Sequence, residues 1–169
     1  MNIVLTGFMA SGKSSVGRIL SEKTGRDFID LDSTIEKWEG QKIKDIFGTK
    51  GEAWFRQRET DACRYAAGLD NCIISTGGGV ILNPENMQLL KKNSIIVYLK
   101  VSAEGAVKRL SDASRPLLNV ANPVDEAARI LSSRVKLYEK YADITIDTEK
   151  HNLQQISGII LKKLRETGI

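Results

Sequence analysis

The chain has 169 residues, 41% of them hydrophobic and 27% charged, with a formal net charge of +4. This suits one soluble domain with a real core, and its scattered basic residues demand neither nucleic acid nor a membrane surface as partner. One histidine (His151) and two cysteines (Cys63 and Cys72) outside any C-x-x-C spacing argue against a zinc site and for free thiols.

The apolar run Ile3–Leu5 predicts a buried first strand, and it feeds Gly7-Phe-Met-Ala-Ser-Gly-Lys-Ser14, a G-x-x-x-x-G-K-[ST] phosphate loop. A strand entering a glycine turn that opens a helix aims backbone N–H groups at one point, where they cradle phosphate oxygens. Lys13 would reach the outer phosphates and Ser14 would ligate Mg²⁺. The helix Lys13–Thr24 follows, ended by Gly25. Further strands are expected at Phe28–Leu31, Cys72–Ser75, Ile95–Leu99 and Ile144–Ile146. Helices are expected at Glu52–Ala67, Pro84–Lys92, Ala103–Leu110, Val124–Tyr141 and Leu153–Glu166. Continuously apolar strands alternating with helices predict a parallel α/β sandwich covered on both faces. No linker or repeat divides residues 1–169, so a single domain is expected. Two inserts stand out, a helical one over Ser33–Phe55 and an irregular one over Ser111–Pro123. The carboxyl edge of such a sheet is where substrate sites and lids are built.

Five constellations carry chemistry. Asp30-Leu31-Asp32 would close the second strand with both carboxylates on one side, and Ser33-x-x-Glu36 reads as the capping box of the next helix. Two carboxylates beside a phosphate loop suit ordering of a Mg²⁺ hydration shell and acceptance of a proton from an attacking hydroxyl. Arg56 and Glu59 share a helix face, either as a solvated ion pair or as a carboxylate-gripping arginine held at its angle. Ser75-Thr-Gly77-Gly78-Gly79 ends the third strand. Three glycines suggest close approach or positive φ, with N–H groups turned to a ligand, and Ser75 is a water-mediated metal candidate. Arg109 and Arg115 flank the irregular insert, where an arginine on a lid can close on a transferring phosphoryl group. Arg134 is either a second anion clamp or an ordinary amphipathic-helix charge.

In order and spacing these motifs, with Trp-Phe-Arg-Gln-Arg-Glu, Thr-Gly-Gly-Gly, Arg-Pro-Leu-Leu and Arg-Val-Lys-Leu-Tyr, resemble shikimate kinase over nearly the whole chain. The resemblance implies a P-loop, nucleoside-monophosphate-kinase-like fold: a five-stranded parallel sheet of order 2-3-1-4-5, a substrate-binding insert at about 33–60 and a lid at about 111–123. It implies transfer of the ATP γ-phosphate to the 3-hydroxyl of shikimate, in the chorismate pathway of aromatic amino acid biosynthesis. Mg²⁺ would be the metal, and the enzyme a cytoplasmic monomer without nucleic-acid or membrane partners.

By position, Ala10, Ser11, Gly12, Lys13, Ser14, Ser15, Arg109 and Arg115 would bind ATP, with Arg109 stacked on adenine. Ser14 would hold the metal and Asp30 would sit in its outer shell. Asp32, Arg56, Gly77, Gly78, Gly79 and Arg134 would bind shikimate, with Glu59, Asp30 and Ser75 behind them. Asp32, Lys13 and Arg115 would be catalytic, Asp32 by orienting or deprotonating the hydroxyl. An adenine-side basic residue falls at Lys150 or His151. Two positions depart from the pattern: Ala10 stands where glycine is usual, and Ser15 where threonine is common. A methyl at position 10 would strain a turn needing positive φ. The rival readings are another small-metabolite kinase on this fold, such as a gluconate kinase, and a nucleotide-binding module without turnover. A neutral polyol has less need of two carboxylate-gripping arginines, and retention of Lys13, Ser14, Asp32 and Arg115 favours an active kinase.

Overall fold

A computed structural model describes residues 1–110, 121–166 and 168. Five strands form one parallel sheet: β1 (Asn2–Thr6), β2 (Asp27–Asp30), β3 (Cys72–Ser75), β4 (Ser94–Lys100) and β5 (Ile144–Asp147), in the order β2-β3-β1-β4-β5. The helices are α1 (Lys13–Thr24), α2 (Leu31–Glu39), α3 (Ile43–Ala67), α4 (Pro84–Lys91), α5 (Ala103–Arg109), α6 (Pro123–Tyr141) and α7 (Leu153–Glu166).

Alternation along the strands splits the core into two layers. Val4, Ile74, Ile96 and Tyr98 face one side and pack with α2, α3, α4 and α6 through residues such as Ile35, Ala62, Met87 and Tyr138. Ile3, Leu5, Ile73, Val97 and Leu99 face the other and pack with α1 and α7 through Val16, Leu20, Ile156 and Ile160. All residues of β1 and β3 are buried, as expected of strands covered on both faces. Cys63 and Cys72 are free and buried. Among the described residues, no helix is long and apolar enough to cross a membrane.

The register sets the site. Leu5 pairs with Ser75, and Ser75 with Asp30, so β1, β2 and β3 end side by side at the carboxyl edge of the sheet. The phosphate loop, the turn into α2 and the glycine run all leave from that edge.

The region between β2 and β3 differs from the expected pattern. β2 stops at Asp30, and Leu31 already begins α2, so Asp30 and Asp32 do not share a strand face. Asp30 is the N-cap: its side chain accepts the Ser33 N–H at 3.1 Å. The expected capping box at Ser33 and Glu36 does not form. A carboxylate three residues upstream reaches the free N–H groups first, and Glu36 instead accepts from Ile43 N and pairs with Lys42. The insert becomes α2 and the first part of α3. Gly51, at φ 81 and ψ 173, breaks α3 internally, so the helical segment carrying Arg56 starts at the expected Glu52. The residues of the expected lid from 111 to 120 lie outside the described residues, while Pro123 opens α6 behind the Asn122 cap.

Candidate active site

The phosphate loop closes on itself through Lys13. Its ammonium donates to the carbonyls of Gly7 and Phe8, both at 2.9 Å, at the mouth of the loop where an anion is expected. Gly12 caps α1 in the left-handed region at φ 91, which turns the first helical N–H groups toward the same point. Ser11 is buried, whereas Ser14 and Ser15 are exposed. The Ser14 hydroxyl donates to Asp30 Oδ2 at 2.6 Å and lies 3.4 Å from the Ser75 hydroxyl. Asp30 thus serves two ends, capping α2 with one oxygen and holding Ser14 with the other. Three hard oxygen groups meeting beside a phosphate loop suit a magnesium ion that keeps much of its water shell.

Next to this lies a second cluster, built against the glycines after β3. Thr76 fixes that turn by donating both its N–H and its hydroxyl to the Leu5 carbonyl, each at 3.1 Å. A Cβ added to Gly77 would lie 2.6 Å from Asp32 Oδ1 and 3.0 Å from Glu59 Oε1. One added to Gly79 would lie 2.1 Å from Arg56 Nη1. The glycine run therefore answers a demand for close approach, and none of its three residues has positive φ. Gly78 faces the phosphate loop, and its carbonyl accepts from Arg134 Nη1 at 3.1 Å and from the Tyr138 hydroxyl at 2.7 Å.

Arg56 and Glu59 form the tightest charge pair of the cluster, with Nη1 to Oε2 at 2.5 Å and Glu59 only 2% exposed. Burial pushes the Glu59 carboxyl up, Arg56 pulls it back down, and the neighbouring Asp32 charge raises it further. Burial opposes the charge on Arg56, but Glu59 and Glu52 outweigh it and hold that pKa above the ordinary arginine value. Arg56 is therefore a fixed cation, and the reading as a loose solvated pair does not hold. Arg134 is 9% exposed and turned into the cluster, so it is not a solvated surface charge.

The described part of the chain thus gathers Lys13, Ser14, Asp30 and Ser75 at one end of the site. Asp32, Arg56, Glu59, Arg134 and Gly77–Gly79 gather at the other. Arg109 stands apart, at the end of α5. Its guanidinium donates to Thr148 Oγ1 and O, both at 2.9 Å, and to the Ala10 carbonyl at 3.3 Å. It ties the phosphate loop to the turn after β5. Lys150 pairs with Asp147 at 3.2 Å, and both Lys150 and His151 are exposed. Arg115 lies outside the described residues. Among the described residues no group of three or more His, Cys, Asp or Glu side chains forms a metal cage.

Three participants were not singled out in the sequence. Tyr138 stacks on Tyr98 with ring centroids 4.9 Å apart and holds Gly78; its spacing of four from Arg134 was the available signal. Glu52 is likewise four residues from Arg56, and its Oε1 accepts from Nη2 at 3.0 Å and Nε at 3.3 Å. Thr148, which anchors Arg109, carried no local signal.

The family model described as shikimate kinase matches residues 9–165. A shikimate kinase of Thermodesulfovibrio yellowstonii is 42% identical, the match covering 96% of this chain and 94% of that protein. One of Persephonella marina is 43% identical over 97% of this chain and 99% of its own. Among solved structures, a shikimate kinase from Acinetobacter baumannii in complex with shikimate superposes with a TM-score of 0.94 at 36% identity, covering 98% of this chain and 93% of that one. A deoxyadenosine kinase from M. mycoides with bound dATP, at 16% identity over 98% of this chain and all of its own, shares the fold with a TM-score of 0.64.

Ala10 sits at φ 56, so the strain expected of a methyl at this position is present. Left-handed backbone costs a residue with a Cβ about 1–2 kcal/mol, while glycine adds roughly 0.5–1 kcal/mol of chain entropy to be lost on folding. Ala10→Gly is therefore expected to leave the thermal midpoint equal or slightly raised without weakening nucleotide binding, whereas Ala10→Val should lower both. A calorimetric scan of each variant with and without ATP checks this, and marked destabilisation by glycine would contradict it.

Proposed function

The chain belongs to the shikimate kinase family and transfers the terminal phosphate of ATP to shikimate, and we propose the following division of that work among its residues. The observation that carries the proposal is the junction at the sheet edge. A phosphate loop and a cluster with two arginines adjoin there through Gly78, which packs against Gly7 and Met9. One end suits a polyphosphate and the other a small acid bearing hydroxyls, so donor and acceptor meet over Asp32.

In this reading Lys13 leaves the carbonyls of Gly7 and Phe8 to hold the β- and γ-phosphates. The N–H groups of residues 10–15 cradle them, and the Ala10 carbonyl is kept in place by Arg109. Ser14 would hold magnesium with Asp30 acting through water; once bound, the ion neutralises and orients the phosphates. At the acceptor end Arg56 and Arg134 take the substrate carboxylate, Gly77–Gly79 let the ring lie against the backbone, and Glu59 fixes the angle of Arg56. Asp32 accepts a hydrogen bond from the 3-hydroxyl. It takes that proton as the oxygen forms its bond to the γ-phosphorus and the bond to the leaving ADP oxygen breaks. Arg115 enters on the Arg-Pro-Leu-Leu motif alone, as the cation that meets charge developing on the phosphoryl group. Arg109 would flank the adenine, with Lys150 or His151 beyond it. A monomer in the cytoplasm is the proposed setting.

Two outcomes follow. Shikimate-dependent release of ADP should need a hard divalent ion, because Ser14 is neutral and Asp30 acidic, so neither offsets the negative charge of a triphosphate. Excess EDTA should abolish turnover and added Mg²⁺ restore it, whereas full activity in EDTA would contradict the assignment. Asp32→Asn should fold and bind ATP normally but lose about 10²-fold or more in kcat, as expected when a general base or its orienting charge is removed. Near-normal kcat would remove Asp32 from the chemistry, and a change in KM alone would make it a binding residue only.

A further inference from the structure

Arg56 is engaged by two carboxylates before any substrate arrives, and they hold it in different ways. Glu59 is buried and takes Nη1 at 2.5 Å. Nη1 also lies where a Cβ of Gly79 would be, so backbone and Glu59 together fill that end of the guanidinium. The opposite edge, formed by Nε and Nη2, points two parallel N–H bonds outward, an arrangement that accepts a carboxylate in bidentate fashion. It is held by Glu52 through the single oxygen Oε1, at 3.3 Å from Nε and 3.0 Å from Nη2. One oxygen shared between two donors at those distances fills the edge poorly. A carboxylate giving one oxygen to each N–H would fill it well.

The two acids also differ in their freedom to leave. The Glu52 side chain is 66% exposed, and it follows directly on Gly51, where the helix is broken. Released from Arg56, it would stand in water at the start of a helical segment, a favourable place for a carboxylate. Glu59 has no such exit. Charge leads to the same partner. Arg56 already meets two acids, Glu52 and Glu59, before an anionic ligand enters. Admitting one more carboxylate beside Arg56 is easiest if an acid already there moves off.

We propose that Glu52 is a placeholder carboxylate: it holds the Nε–Nη2 edge of Arg56 in the free protein and yields that edge to the carboxylate of the incoming cyclic hydroxy acid. This rests on the reading that Arg56 grips that carboxylate. Glu52 then acts as a positioning residue that keeps the fork extended and ready, and substrate affinity is a difference between two carboxylates competing for one guanidinium. A ligand with no carboxylate has nothing to exchange, so the competition from Glu52 is felt by acids alone.

The test is steady-state kinetics of Glu52→Gln and Glu52→Ala with shikimate and with a ring analogue lacking the carboxylate, beside Arg56→Ala. Circular dichroism establishes folding, which an exposed residue should not disturb. Removing an exposed helix partner of this kind should lower the shikimate KM by about 1.5- to fivefold, with kcat within about twofold and the ATP KM unmoved. The analogue should show no gain. A shikimate KM that is unchanged or raised would overturn the proposal and leave Glu52 as a plain support of Arg56. An equal gain for the analogue would overturn it too, since the effect would not be carboxylate exchange. Arg56→Ala reads the underlying assignment separately. If that variant still prefers shikimate over the analogue as wild type does, the clamp is misplaced; if the preference collapses while Glu52→Gln gains nothing, only the placeholder falls.

Discussion

The site depends on a stretch of backbone without side chains. After β3 the chain must turn at the sheet edge and still leave room for an aspartate, a glutamate and an arginine to lie against it. Gly77 gives Asp32 and Glu59 that room and Gly79 gives it to Arg56, at separations where a Cβ would force those side chains to move. Gly78, between them, offers its carbonyl to Arg134 and Tyr138. One segment thus collects charged groups from α2, α3 and α6 at the point where the phosphate loop also leaves the sheet. Any side chain at Gly77 or Gly79 would push those groups apart.

Packing at this density requires the charges to be matched. A buried carboxylate without a partner is strongly disfavoured, and Glu59 avoids that through its short contact with Arg56. Arg134 reaches the same wall from α6, where Tyr138, stacked on the buried Tyr98 of β4, fixes the helix face that carries it. The sheet supplies the remaining precision. Because Leu5, Ser75 and Asp30 share a register, Ser14 finds Asp30 and Ser75 without help from any mobile element. The proposed catalytic geometry is a product of strand alignment and missing Cβ atoms, and the two arginines are delivered to it by helices whose other faces are core.

The fold was legible because its signals are local and mutually consistent. The apolar runs of β1, β3 and β4 have no polar interruption, and Gly25 ends α1 as its position suggests. The phosphate loop, the Arg56–Glu59 pair and the glycine run could be read as site material for the same reason. The turn into α2 could not. Asp30 and Ser33 are both good caps, and only the length of β2 decides between them. That choice moved Asp32 from a strand face to a first helical turn, and its place beside Gly77 survived because the glycine has no side chain. Arg109 was legible as a cation near the nucleotide end, but its hold on Ala10 and Thr148 joins residues far apart in the chain. Glu52 escaped notice because an i, i+4 pair on a helix is usually only a surface contact.

Gly79→Ala tests the central claim most directly. Gly79 sits at φ −94 and ψ −12, which alanine adopts without strain, so the one consequence of the methyl is the displacement of Arg56. Steady-state kinetics of that variant should show the shikimate KM raised by about tenfold or more, with the ATP KM and thermal midpoint close to wild type. An unchanged shikimate KM would mean that the approach of Arg56 to the glycine wall does not build the site.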